Sequence, residues 1–303
     1  MAVIDEGPGA RGAGPPRTND GNTHSDPSSP AFRQPGTVPV RRKAGQPTAS
    51  PGAIGPVCDV GQDTPVLTVL LPPSEGKAAG GGPPGWDPSS GRFGTALGAR
   101  RRRVARALKV AEGGDQKLLG VGGENLERAR QANRQLIGAP VLPASERFTG
   151  VVWDHLDLSS LRPAERERAN DAVIVVSALC GLVALDDPVP DHRLKLSVSV
   201  GALGRVASFW RPALSASLNQ HLERRLVIDL LPGEHAAAWS PDPSRYDLRR
   251  VRLVDRDGRS AGHFAKAAKG RLARALIQAP DPGRALARWK DDEFTLRITR
   301  PQT

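Results

Sequence analysis

The chain has 303 residues, 38% of them apolar and 25% charged, and a formal net charge of +11. Nothing in it approaches the ~18 consecutive apolar residues of a membrane span, and its first thirty residues lack the apolar stretch of a secretory signal. Two cysteines, Cys58 and Cys180, without C-x-x-C spacing exclude a disulfide framework and a thiolate metal site, so a cytoplasmic protein with no membrane partner is expected.

Residues 1–65 are rich in Gly and Pro and hold six basic and six acidic residues. Such a segment buries too little apolar surface to offset its ordering entropy, which predicts a disordered extension. The whole basic excess therefore falls in residues 66–303, where 37 basic residues face 26 acidic ones. A positive folded body suits a polyanion, nucleic acid ahead of lipid. An Arg-rich composition that serves only solubility is the plainer reading of the same number.

The folded part opens at Val66 with "VLTVLL", a strand pattern that Pro72-Pro73 ends. After a Gly/Pro loop comes a basic helix. Val104, Ala107, Leu108 and Ala111 form its apolar stripe, with Arg102, Arg103, Arg106 and Lys109 off the stripe. Gly113 and Gly114 end it. The next helix runs from about Glu124 to Ile137, with Leu126, Ala129, Asn133, Leu136 and Ile137 at helical spacing, and stops at Gly138 and Pro140. Ser160 and Pro163 stand near the start of a charged helix, and "VIVVSAL" reads as a strand buried on both faces. Pro212 opens a helix through Leu214, Leu218 and Leu222, and "RLVIDLL" is a strand. Two strands flank the Asp257-Gly258 turn. In the following helix Ala265, Ala268, Leu272 and Leu276 face inward while Lys266, Lys269, Arg271 and Arg274 are free to face outward; "FTLRIT" is the last strand. Helices and strands alternate without a regular βαβ rhythm or a G-x-G-x-x-G. That predicts an α+β fold with a mixed α/β sheet rather than a Rossmann unit.

Two stretches carry candidate chemistry. In "KLLGVGGENLERARQAN", Leu118-Leu119-Gly120-Val121-Gly122 has the form of a helix-hairpin-helix turn, whose glycines permit positive φ. Backbone N–H groups at the start of the second helix can hold a phosphate without reading bases. Lys117, Arg128, Arg130 and Arg134 lie close enough in sequence to add phosphate contacts. Leu126 departs from the motif, which usually has a small residue there, and an ordinary Gly-rich connection is the rival reading. "PPSEGKA" ends in Gly76-Lys77 but has Leu71 and Ala78 where a Walker A loop needs Gly and Ser or Thr, so it is no nucleotide P-loop. It remains a polar loop at the C-terminal edge of a strand, where open α/β sheets bind ligands, or a turn whose charges face water. His155, His192, His221, His235 and His263 are scattered, with Glu234-His235 the only tight pair, and support no metal assignment. Trp153, Trp210, Trp239 and Phe209 read as core anchors, and Cys180 as a buried, inert thiol.

The order of segments is more specific than any one of them. "LLPPSEGK", "LLGVGGENLERARQAN", "FTGVVWDHLDLSSL", "SALCGLVALDDPVPDHRLKL", "FWRPALSASLN", "LVIDLLPGEH" and "GHFAKAAKGRLARALI" follow one another across residues 66–299. In this the chain resembles the bacterial YaaA family of peroxide-stress proteins. The resemblance implies a cytoplasmic protein, induced by peroxide, that helps lower free iron. It also implies a fold in which a helix-hairpin-helix, here at about 102–138, lies beside a basic cleft and binds duplex or branched DNA. Family positions are matched by Ser74 and Lys77, by Gly120 and Gly122, and by Ser177 and Gly181. Asp187, Arg193, Phe209, Trp210, Asn219, Glu234, Lys266 and Gly270 match further ones, with Lys269 in place of an arginine. Ala184 stands where a cleft arginine is usual, and His192 and His235 where tyrosines are. Residues before Val66 have no counterpart and are either an extension or sequence ahead of the true start.

The expectation is a monomeric, non-enzymatic protein without a cofactor, binding double-stranded or branched DNA independently of sequence. Lys117, Gly120, Gly122, Arg128, Arg130 and Arg134 would touch DNA. Ser74, Lys77, Arg193, Asn219, Glu234, Lys266 and Lys269 would line the cleft. An enzyme acting on a nucleotide or phosphorylated small molecule in that Ser/Lys/Arg/Glu cleft is the alternative.

Overall fold

The computed structural model describes residues 65–258 and 265–301; the extension of residues 1–64, with Cys58, and His263 lie outside them. In chain order the described residues form β1 (Leu67–Leu71), α1 (Gly94–Val110), α2 (Gln116–Leu119), α3 (Gly123–Arg134), β2 (Val141–Pro143), α4 (Ala144–Arg147), α5 (Val151–Leu156) and α6 (Pro163–Ala172). They continue through β3 (Val173–Ser177), β4 (Gly181–Ala184), β5 (Pro188–Pro190), α7 (Val206–His221), β6 (Leu226–Asp229), α8 (Gly233–Ala236), β7 (Asp247–Val254), α9 (Lys266–Gln278), α10 (Pro282–Arg288) and β8 (Thr295–Thr299).

The main sheet has the order β4-β3-β1-β6-β7-β8. Strands β3, β1, β6 and β7 run parallel, with Leu70 opposite both Ile174 and Asp229, and the edge strands β4 and β8 are antiparallel. The fold is therefore a mixed α/β sheet, mostly parallel. Every residue of β1 and β3 is buried, as apolar runs covered on both faces must be. The parallel strands also set where ligands can approach. Pro72–Lys77 leaves β1, Ala178–Cys180 leaves β3 and Leu230–Gly233 leaves β6 from the same C-terminal edge, the rim of such sheets that offers binding crevices.

Two buried arginines hold this rim without a carboxylate. The buried face of α1 contains Leu97, Val104 and Leu108 with Arg101 among them. The Arg101 guanidinium donates to the carbonyls of Cys180 (2.8 Å), Leu182 (2.8 Å), Ser90 (2.7 Å) and Pro88 (3.2 Å). Arg147 donates likewise to Val189 O (3.0 Å), Gly80 O (3.0 Å), Pro140 O (3.4 Å) and Ala78 O. Each fork satisfies four carbonyls that would otherwise be left in low dielectric.

Three elements differ from the sequence reading. Helix α7 begins at Val206, not at Pro212. Pro212 lies on its exposed face while Trp210, Leu214 and Leu218 bury the other, so packing outweighs the hydrogen bond that proline removes. Of the two strands expected around Asp257-Gly258, β7 is present and the second falls outside the described residues. On α9 three of the four cations are held: Lys269 Nζ donates to Leu230 O (3.0 Å), Arg271 pairs with Asp291 (2.6 Å) and Arg274 with Asp157 (3.5 Å). Gly270 faces α5, where a Cβ would come within 2.4 Å of Val152 O; only glycine lets the two helices lie this close. No helix among the described residues is long and apolar enough to cross a membrane.

Candidate functional site

The loop after β1 is built around its own polar residues. Pro72 and Pro73 offer no N–H to continue the ladder. Ser74 Oγ accepts from the Thr149 N–H (3.0 Å) and donates to Gly76 O. Lys77 pairs with Phe148 in an isolated bridge, its Nζ donates to Ser74 O (3.1 Å), and the ammonium stands 5.9 Å from the Phe148 ring centre. Burial pushes the Lys77 pKa down from 10.5 to about 8; Arg193 and Arg147 push the same way, and Asp191 opposes them.

The turn between α2 and α3 forms because its glycines reach left-handed backbone. Asp115 caps α2 by accepting from Leu118 N–H (2.8 Å), and Gly120 ends it at φ 64°. The second positive φ belongs to Gly123 (57°), while Gly122 is extended at −127° and caps α3. Buried Asn133 fixes α3 by donating to Gly113 O (2.9 Å) and Arg193 O (2.8 Å) and accepting from Arg193 N–H (3.0 Å). Arg193 then clamps the turn to the β1 loop, donating to Leu119 O (2.9 Å) and pairing with Glu75 (3.1 Å).

These contacts bring Lys77, Arg193, Arg128, Asn125, Asp191 and His192 around one pocket of about 230 Å³. Arg128 pairs with Asp191 (3.1 Å), and the buried His192 stands with Nδ1 2.9 Å from Pro190 O. Burial first, then the Lys77 and Arg147 charges, drive His192 well below its ordinary 6.5, so the ring is neutral, donates from Nδ1 and keeps a lone pair on Nε2. A larger groove of about 1040 Å³ adjoins it, sharing Arg128 and Asp191. Five basic side chains line that groove, Arg102, Arg106 and Lys109 from α1 and Arg128 and Arg134 from α3, against Asp191 as the acid. Arg134 also pairs with Glu112 (3.4 Å), whereas Arg102, which donates to Ser89 Oγ (2.8 Å), and Arg106 and Lys109 have no ion-pair partner among the described residues.

The remaining expected residues lie elsewhere. Lys117 is exposed on α2, and Arg130 pairs with Glu127 (3.6 Å); neither lines the groove. Asn219 donates to Ser240 O (3.1 Å) and accepts from Asp242 N–H (3.1 Å) and Tyr246 OH, which makes it a loop anchor rather than a pocket residue. Glu234, exposed, stands 3.6 Å from His235, and Lys266 and Lys269 belong to α9; none of the four lines the pocket or the groove. Burial holds Lys269 at about 8 and His235 at about 4. Cys180 is buried and its thiol pushed up to about 11, an inert state. Among the described residues no three His, Cys, Asp or Glu side chains gather as a metal centre requires.

Sequence reasoning did not pick out Asn125, Asp191 or His192 as pocket residues, nor Arg147 behind them. For Asp191 and His192 the signal is position, "DHR" placing them directly before Arg193, with His192 also standing where the family usually has a tyrosine.

The fold and site define a mixed α/β protein with a lysine pocket at the loop after β1 and an adjoining cation-lined groove between α1 and α3. The sequence model of the family described as "Peroxide stress protein YaaA" matches residues 67–297. A UPF0246 protein of Streptomyces coelicolor is 34% identical over 215 residues, covering 70% of this chain and 83% of the relative. A UPF0246 protein of Corynebacterium glutamicum is 34% identical over 218 residues, covering 69% and 84%. An uncharacterized protein of Campylobacter jejuni is 26% identical over 158 residues, covering 52% and 61%. The chain belongs to the YaaA family, UPF0246.

Proposed function

We propose that this protein acts in the peroxide response by binding DNA, with α2, the glycine turn and α3 serving as a helix-hairpin-helix beside a basic cleft. The observation that carries the reading is the groove between α1 and α3, with five cations facing one carboxylate and three of those cations without an ion-pair partner among the described residues. The first N–H groups of α3 have no carbonyl one turn back within the helix and give the adjoining turn a positive end for a phosphate. Such contacts hold the backbone without reading bases, so duplexes of different sequence bind alike. Bound in this way, a cytoplasmic monomer helps limit iron-dependent oxidative damage, the role that family membership suggests.

The test is charge reversal in the groove. Arg106→Glu with Lys109→Glu is expected to weaken binding to unrelated duplex sequences by the same factor, measured by fluorescence anisotropy at fixed salt. Unchanged affinity would remove the groove from the interface.

A further inference from the structure

The small pocket has features that the groove does not use. Its volume of about 230 Å³ lies below the ~300–1,000 Å³ of pockets that take drug-sized ligands. No Phe, Tyr or Trp lines it and the one ring in its wall, His192, is buried, which argues against a site built to stack bases. A sugar fits this description better than a base. The cationic wall of Arg128 and Arg193, with Asn125 in the first turn of α3, suits the phosphates on either side of such a sugar. Beside the ion-paired carboxylates Glu75 and Asp191 the lining offers one amine, Lys77, oriented by the bond from Nζ to Ser74 O.

We propose that Lys77 forms an imine with the C1′ aldehyde of a ring-opened abasic deoxyribose in DNA, and that the pocket then incises the strand by β-elimination. The inference rests on the DNA-binding reading and names the substrate of the lysine pocket that adjoins the groove. An abasic nucleotide has no base to unstack, so it is among the least costly to extrude from a duplex. With its pKa lowered to about 8, about a quarter of Lys77 is neutral at pH 7.5, against about a thousandth of an exposed lysine. That is the condition for a nucleophilic amine.

The chemistry needs no further reagent than water. The Nζ lone pair adds to C1′, and the carbinolamine loses water to leave a protonated imine. The iminium acidifies the hydrogen on C2′. His192 Nε2 takes that proton, since Nδ1 is committed to Pro190 O and the acids of the pocket are paired, Asp191 with Arg128 and Glu75 with Arg193. The electron pair expels the 3′ phosphate as the C3′–O bond breaks. Water then hydrolyses the conjugated imine and frees the lysine.

The experiment is reductive trapping on the full chain. Protein is mixed with sodium cyanoborohydride and an end-labelled duplex carrying one abasic site, or with the same duplex intact, and binding of both duplexes by the wild type is read in parallel by anisotropy. The expected result is a covalent complex from the abasic duplex alone, mapped to Lys77 by peptide mass spectrometry, with yield at least tenfold lower in Lys77→Arg. His192→Gln should keep trapping while strand incision falls. Should Lys77→Arg not fold, the wild-type peptide map decides. An adduct on another lysine, or none from wild type that binds the abasic duplex, overturns the inference and leaves the DNA reading standing. Failure to bind either duplex overturns both.

Discussion

Lys77→Met tests the energetic cost of the lysine at the heart of the pocket. Folding takes its pKa from 10.5 to about 8, through burial and the neighbouring Arg193 and Arg147 charges, against the attraction of Asp191; buried His192 and Cys180 are the other titratable neighbours. Because the folded value lies below the unfolded one, the charged lysine destabilises the native state. The penalty is complete below pH 8, shrinks between pH 8 and 10.5, and is absent above that range. At 1.36 kcal/mol per pKa unit it amounts to about 3 kcal/mol. Methionine keeps the bulk of the side chain but loses the Nζ bond to Ser74 O, worth about 1 kcal/mol. The variant should therefore be about 2 kcal/mol more stable than wild type at pH 7 and about 1 kcal/mol less stable near pH 10.5. Urea unfolding at both pH values measures the difference. A variant that is weaker at pH 7, or a difference that does not change with pH, would mean that burial does not disfavour the charged Lys77.

Three further outcomes follow from the packing and charges. Asn133→Leu removes three hydrogen bonds between α3, Gly113 and Arg193; the loss should be about 2–4 kcal/mol in the same urea assay, with a lower affinity for DNA because the turn loses its anchor. Gly270→Ala drives a methyl into Val152 O and should cost about 1–3 kcal/mol, visible as a lower melting temperature. Glu165, bonded by the Arg162 side chain and N–H, is held at about 2 instead of 4.5. Its contribution is full above pH 4.5 and is lost as pH falls towards 2, so Glu165→Gln should flatten the acid limb of the stability curve.

Much of the fold could be read from local pattern because β1, β3 and β6 are short apolar runs covered on both faces, and such burial is written into consecutive residues. Helices α3 and α9 were legible through their spacing, and the α2–α3 turn through glycines that only left-handed backbone requires, although Gly123 rather than Gly122 takes the second positive φ. The pocket was legible in part. Lys77 and Arg193 were singled out separately, but their meeting depends on the Arg193–Glu75 pair, which spans 118 positions, and no local signal encodes it. Arg101 and Arg147 resemble surface arginines in sequence because backbone carbonyls, which every residue carries, are their partners. Lys269 was misread as outward for the same reason, since Leu230 O holds it. Asn219 matched a family position yet anchors the loop through Ser240 and Asp242.

Whether the cations of the α1–α3 groove grip phosphates is decided by a salt titration of wild-type binding. If each of the five groove cations neutralises one phosphate, log affinity for duplex DNA should fall against log salt with a slope of about −4.5. The slope should hold for duplexes of unrelated sequence. A flat titration, or one whose slope belongs to a single sequence, would mean that the groove does not hold the DNA backbone.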